Sequence, residues 1–304
     1  MTGGRGRGSM NVTLRVAAAV LALLSVPGIA VAQGRGRALG RQPRSGTQGP
    51  ASNQVPAGSL ALQPSPSFPQ FGTWLDDATT ADGGAGYASI GVSHWRGAGA
   101  TQTDAPILGV TYGITNRAQI SATVPFYRAS YEGFSGSGLD NVYVSTKISV
   151  VDPRANGRFG VAVGAVAEIL GAGFADASRA HWAVPLSMEL RGGPVRLYGS
   201  TGYFSRGAFF AAGAFEWTAR TGTSVTASLA HSASVHGVTI ATTASVPRAS
   251  LRDASVFVSH PVSSIASVYI GGSRSFSDTW IDGASSVSGG VSFRFANSRP
   301  DTPE

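Results

Sequence analysis

From residue 85 to residue 295, apolar and polar side chains alternate with a period of two. That is the spacing of strands that turn one face to an apolar medium and the other to a polar one. In Val142-Tyr143-Val144-Ser145-Thr146-Lys147-Ile148-Ser149-Val150, the branched residues Val142, Val144, Ile148 and Val150 share one face, and Tyr143, Ser145, Lys147 and Ser149 share the other. Val287, Gly289, Val291, Phe293 and Phe295 alternate in the same way with Ser286, Ser288, Gly290, Ser292 and Arg294. The pattern predicts twelve strands near 85–96, 104–114, 118–130, 140–151, 157–170, 182–192, 195–206, 208–220, 223–235, 251–261, 265–277 and 285–295. Most are long enough to cross a hydrocarbon layer when tilted. The second strand leaves a choice open, because Leu108, Val110 and Tyr112 compete with Ile107 for the apolar face.

The connections between these segments sort by length. Those after even-numbered strands are mostly tight, as at Thr115-Asn116-Arg117, Gly193-Pro194 and Thr221-Gly222. Those after odd-numbered strands are mostly longer, at 97–103, 131–139, 171–181, 236–250 and 278–284, with the join at Gly207 as the exception. Short turns on one side, long loops on the other and an even strand count describe a bacterial outer-membrane barrel with both ends in the periplasm. The expected fold is all-β: a transmembrane antiparallel up-and-down β-barrel over residues 71–296, with a C-terminal tail at 297–304. A secreted soluble β-protein is the rival fold, but it has no reason to sort its loops in this way.

Composition agrees with the pattern. Only 13% of residues are charged, about half the usual share of a soluble domain. The net charge of +7 rests heavily on Arg5, Arg7, Arg15, Arg35, Arg37, Arg41 and Arg44. No basic patch interleaved with aromatics follows, which argues against a nucleic-acid partner. There is no cysteine, which excludes disulfides, thiolate catalysis and acylation at a cysteine. Residues 12–32 read VTLRVAAAVLALLSVPGIAVA: Arg15 supplies a basic start, Val16 to Val26 an apolar run, and Ala30-Val31-Ala32 a cleavage site. Residues 1–32 are therefore expected to be a signal peptide, cleaved after Ala32. The Gly/Pro/Arg-rich residues 33–70 hold too few apolar side chains to offset the entropy of ordering and are expected to form a disordered periplasmic linker.

Aromatic residues cluster toward strand ends. Trp95, Tyr127, Trp182, Tyr203 and Phe209 fall at the loop ends, and Phe159, Trp217, Phe293 and Phe295 at the turn ends, where belts at the two headgroup zones are expected. On the opposite, inward face, alternation places Lys147, Glu168, Glu189, Arg191, Glu216 and Arg294. These charges either form a selectivity ring for a small solute or pair across neighbouring strands and seal a narrow barrel.

Catalysis finds little support. An outer-membrane phospholipase would need a His and a Ser two positions apart on one strand face. None of His94, His181, His231, His236 and His260 is followed by such a serine. The reversed pair Ser234-Val235-His236 falls at a strand end, and Asp176 with His181 near an outer loop, where polar residues are common. No spacing for metal ligands occurs, and Gly171-Ala172-Gly173 precedes no helix that could cradle a phosphate. The chain is read as a non-enzyme without a cofactor.

Tyr112-Gly113-Ile114-Thr115-Asn116-Arg117 followed by an alternating strand ending in Val124-Pro125-Phe126 resembles the transporter-like outer-membrane proteins of the phenol-degradation meta-pathway family. Ser137-Gly138-Leu139-Asp140-Asn141-Val142 is similar to that family's Gly-Leu-Gly-Asp-Val strand opening, with Asp140-Asn141 in place of Gly-Asp. The resemblance implies an outer-membrane barrel often labelled a transporter. The expected function is a passive channel in the outer membrane of a Gram-negative bacterium for small solutes, hydrophobic or aromatic ones included. The alternative is a structural or surface-interaction barrel with a closed lumen. The expected partners are outer-membrane lipid, an unidentified small solute and the barrel-assembly machinery. The last strand is followed by 297–304 rather than ending on Phe295, so recognition by that machinery is expected to use an internal copy of its signal.

Overall fold

The computed structural model describes residues 75–97, 100–131, 134–169, 180–205, 207–234, 238–240, 244–246, 250–277 and 283–296. The expected signal peptide with its cleavage residues Ala30 and Ala32, the linker at 33–70, the tail at 297–304, Asp176 and His236 lie outside them.

Alternation makes strands, and the strands close. In chain order they are β1 (Ala85–Gly97), β2 (Ala100–Thr115), β3 (Ala118–Tyr131), β4 (Phe134–Leu139), β5 (Val142–Val151), β6 (Phe159–Ile169), β7 (Ala180–Gly192), β8 (Val195–Phe204), β9 (Ala208–Thr218) and β10 (Ser224–Ser234). After them come β11 (Val238–Ile240), β12 (Ala244–Val246), β13 (Ser250–Pro261), β14 (Ala266–Ser277) and β15 (Ser285–Ala296). β11 and β12 pair only with each other. β4 and β5 both pair with β3, at Phe126↔Leu139 through Tyr131↔Phe134 and at Ala118↔Ile148 through Thr123↔Tyr143. They make one barrel strand interrupted at Asp140 and Asn141. Counted so, twelve antiparallel strands run round the wall, and β1 meets β15 from Ala85↔Ala296 to Arg96↔Ser285. Both ends of the barrel lie on the side of the short turns.

Two stretches expected as outer loops are strand instead. Residues 100–103 extend β2, and 134–139 form β4. Their polar residues keep the period of two, so pairing continues above the apolar zone, where water tolerates Thr101, Thr103 and Ser135. The ambiguity in β2 is settled by a register shift between Asp104 and Ile107. It leaves Ile107 buried at 7% exposure and turns Leu108, Val110 and Ile114 outward. The turn at 152–156 winds into a single helical turn, α1 (Pro153–Asn156), capped by Asp152 accepting from the Arg154 amide at 2.9 Å and ended by Gly157 at φ 73°.

The outer face is apolar and exposed: Ile148, Leu229, Ile270 and Val287 stand 59–62% open. A wall of such side chains is unfavourable against water and fits lipid. The inner face mixes serines, threonines and a few charges with aromatics such as Tyr87, Tyr198, Phe257 and Tyr269, most of them buried.

Candidate functional site

Residues 75–82 do not join the wall; they fold into the lumen at its turn side. Asp76, Asp77, Ala78, Thr79 and Thr80 are all at most 5% exposed. The entry is a tight passage against β2. Gly84 donates to the Gly113 carbonyl at 2.8 Å, and a Cβ on Gly113 would stand 2.1 Å from the Asp82 carbonyl oxygen. No side chain fits there, which is the physical reason for glycine at position 113.

Inside, ion pairs bind the segment to the wall. The Lys147 ammonium on β5 donates to Asp76 Oδ1 at 2.9 Å and to Asp77 Oδ1 at 3.0 Å. Arg196 on β8 pairs with Asp77, with Glu189 Oε1 of β7 at 2.6 Å, and with Glu216 Oε2 of β9 at 3.7 Å. Glu189 also accepts from Arg191 at 2.5 Å and from the Thr79 hydroxyl at 2.8 Å. Nearer the entry, Asp82 pairs with Arg154 of α1 and lies 3.7 Å from Arg294 on β15. Ala81 donates its amide to the Gln119 side chain at 2.8 Å. Leu75 packs against Tyr198, Ala212, Ala214 and Ala230.

The arrangement has an electrostatic logic. On the strands of this half, Lys147, Arg191, Arg196 and Arg294 outnumber Glu189 and Glu216. Asp76, Asp77 and Asp82 supply the missing negative charge, so the buried cations are paired rather than stranded. Five of the six inward charges expected from alternation (Lys147, Glu189, Arg191, Glu216 and Arg294) thus converge on the segment. Sequence reasoning missed Arg196 and the aspartates. The signal was present: Arg196 alternates with Tyr198 and Ser200, and Asp76-Asp77 is an isolated acidic pair next to a cation-rich inner wall.

Glu168 belongs elsewhere. It lies toward the loop side, accepting from Asn141 at 2.8 Å and from Tyr143 at 3.4 Å. Nearby, Gln102 donates to Asp104 at 2.7 Å and to Asp140 at 3.1 Å, and Ser275 donates to Asp253 at 2.5 Å. Among the described residues, the inward arginines and lysines sit at the turn side, and carboxylates held by amides and hydroxyls sit at the loop side.

The aromatic candidates divide. Trp182, Phe209, Trp217, Phe293 and Phe295 face outward and are 42–53% exposed, and Phe159 and Tyr203 share that face. Trp95 and Tyr127, expected in the outer belt, instead point inward at 2% and 8% exposure. The cause is alternation itself: Trp95 shares its face with the buried Ser93, and Tyr127 with the buried Ala129. His94 and His260 each hydrogen-bond a threonine hydroxyl, Thr103 at 2.9 Å and Thr223 at 2.8 Å, and make no catalytic grouping. Among the described residues no cluster of metal-ligating side chains occurs.

Comparison with known proteins bears on the fold. An outer membrane channel from Pseudomonas putida F1 superposes with a TM-score of 0.55 at 16% identity, covering 72% of this chain and 98% of that one. The NanC porin gives 0.49 at 11% identity, covering 68% and 98%. The KdgM porin, in complex with disordered oligogalacturonate, gives 0.48 at 12%, covering 68% and 99%. No family model and no curated protein matches the sequence. The likeness to the Pseudomonas channel shows that the chain has the fold of a twelve-stranded outer-membrane β-barrel.

Proposed function

We propose that the protein is a passive outer-membrane channel for small solutes, narrowed at its periplasmic mouth by its own segment 75–82. Support comes from how that segment is held. Its inner part is fastened to the wall chiefly by side-chain ion pairs and hydrogen bonds, and the isolated β-bridge Gly83↔Gly113 lies just past its end, at the entry. These side-chain contacts lie outside the backbone ladder that closes the wall, so the segment can leave the lumen without dismantling the barrel. The wall it uncovers carries Lys147, Arg191, Arg196, Glu189 and Glu216 beside Tyr198 and inward serines and threonines, with further carboxylates toward the loop side. That lining favours polar solutes over the hydrophobic ones expected from the sequence, and the excess of Lys147, Arg191, Arg196 and Arg294 over Glu189 and Glu216 at the mouth favours anionic ones.

Export through the signal peptide at 1–32 and insertion by the barrel-assembly machinery belong to the same proposal, as does kinship with the phenol-degradation meta-pathway family. That kinship rests on the Tyr112–Phe126 and Ser137–Val142 motifs. A second reading, a structural barrel sealed for good, draws on the dense burial of the inward serines: Ser187, Ser232, Ser259 and Ser275 are all at most 1% exposed. Liposome swelling separates the two. With refolded protein, Asp76→Asn/Asp77→Asn is expected to speed entry of small sugars and amino acids at least severalfold over wild type. Liposomes of both proteins that admit nothing would establish the sealed barrel.

A further inference from the structure

The outer wall carries a concentration of charge that the lumen does not explain. At the loop ends of neighbouring strands, outward side chains are basic: His231 on β10, Arg252 on β13, Arg274 on β14, His94 and Arg96 on β1, and Arg128 on β3. The registers knit them together. Arg274 and Arg96 both stand level with Ser285 on β15, and Arg128, Thr103 and His94 lie in one row. No carboxylate faces outward on any described strand of the barrel. The far side of the wall carries aromatics instead: Trp182 and Tyr203 with ring centres 5.9 Å apart, then Tyr203 and Phe209 at 5.1 Å.

The height of this arc identifies its surroundings. Ten residues separate Phe295 from Ser285 on β15. At about 3.4 Å per residue and a tilt of about 40°, that is about 26 Å, close to the roughly 25 Å apolar band of an outer-membrane barrel. Arg96 and Arg274 therefore stand at headgroup level in the outer leaflet. Between them the wall is indented: a concavity of about 620 Å³ is lined by His94, Arg96, Thr101, Gly283 and Ser285, among others. The guanidinium of Arg274 reaches its edge, 3.8 Å from where a Cβ on Gly283 would stand. Neither arginine has a carboxylate partner among the described residues.

We propose that this concavity binds the phosphomonoester headgroup of an outer-leaflet lipid. Arg96 and Arg274 clamp the phosphate from two sides, as planar guanidinium groups do, and Thr101 and Ser285 offer hydroxyl donors. Arg128 and Arg252 flank the site and raise the local concentration of anionic lipid. The inference rests on the membrane orientation and not on whether the lumen conducts.

The test is native mass spectrometry of the refolded full chain in detergent, mixed with bisphosphorylated lipid A, with the same lipid after dephosphorylation, or with inorganic phosphate. Wild type is expected to retain the phosphorylated lipid at least tenfold better than the dephosphorylated one. Arg96→Gln/Arg274→Gln should lose that difference, and Arg96→Lys/Arg274→Lys should keep part of it. Folding of each variant is checked by heat-modifiable gel migration. If the Gln variant does not fold, the comparison of the two lipids on wild type decides alone. Equal retention of the two lipids, or full retention by the Gln variant, overturns the proposal. Displacement of the lipid by millimolar inorganic phosphate overturns it too, because the site would then be a general anion site. Unchanged liposome permeability in the Gln variant keeps this result separate from the channel reading.

Discussion

Lys147 is the residue on which the lumen segment depends most directly, since its ammonium meets Asp76 and Asp77 at 2.9 and 3.0 Å while only 4% exposed. Breaking a buried pair on one side leaves the other charge uncompensated, at a cost of about 3–5 kcal/mol. Lys147→Met is therefore expected to free the segment before it unfolds the barrel. Thermolysin should then cut near Leu75 while the heat-modifiable band persists; resistance equal to wild type would show that the pair does not hold the segment. Gly113→Val tests the entry by a different physical route, because its Cβ has no room beside the Asp82 carbonyl. The same protease sensitivity is expected, with Lys147 intact. Alternation made the inward direction of Lys147, Glu189, Arg191 and Glu216 legible in the sequence. It could not show what they face, because a partner that comes from outside the strands leaves no periodic trace. Trp95 and Tyr127 were misplaced for a related reason: aromatic character at a strand end was given weight over the parity of the position.

At the scale of elements, period and turn chemistry located the barrel strands to within a few residues, and loop sorting put the start of the first barrel strand and the end of the last on a common side. The break at Asp140 and Asn141 was not legible, since Val142 to Val150 reads as an uninterrupted strand and β4 reads as a loop rich in Gly and Ser. The helical turn α1 was taken as a tight turn of the kind that Asp152-Pro153 commonly starts. Its cap carries a pH dependence. Burial works against the charged Asp152 carboxyl, but the hydrogen bonds and charge of Arg154 outweigh it and hold the group below its ordinary range. A depressed carboxylate contributes stability above its unfolded pKa of about 3.9 and loses that contribution as pH falls through the folded value. Protease nicking at 152–157 in wild type should therefore rise as the pH drops below about 4. Asp152→Ala should raise it already at neutral pH and remove the pH step. A step of equal size in the variant would assign it to another group.

For the whole molecule, the two charged zones do different work. Inside, opposite charges from the wall and from residues 75–82 cancel within a low-dielectric space, holding the segment in place by side-chain pairs that take no part in the wall's backbone ladder. Outside, like charges gather on one arc of the rim, and no carboxylate of the described barrel strands faces outward beside them. A chain with 41 glycines and 13% charged residues builds a thin wall that accommodates both. The channel reading predicts that the segment sets the conductance, and single-channel recording in planar bilayers tests this most directly. Refolded wild type is expected to give small or infrequent current steps, and Asp76→Asn/Asp77→Asn steps that are larger or several times more frequent, because Lys147 and Arg196 no longer hold the segment. Silence from both proteins at all applied voltages would contradict the account and leave a sealed barrel.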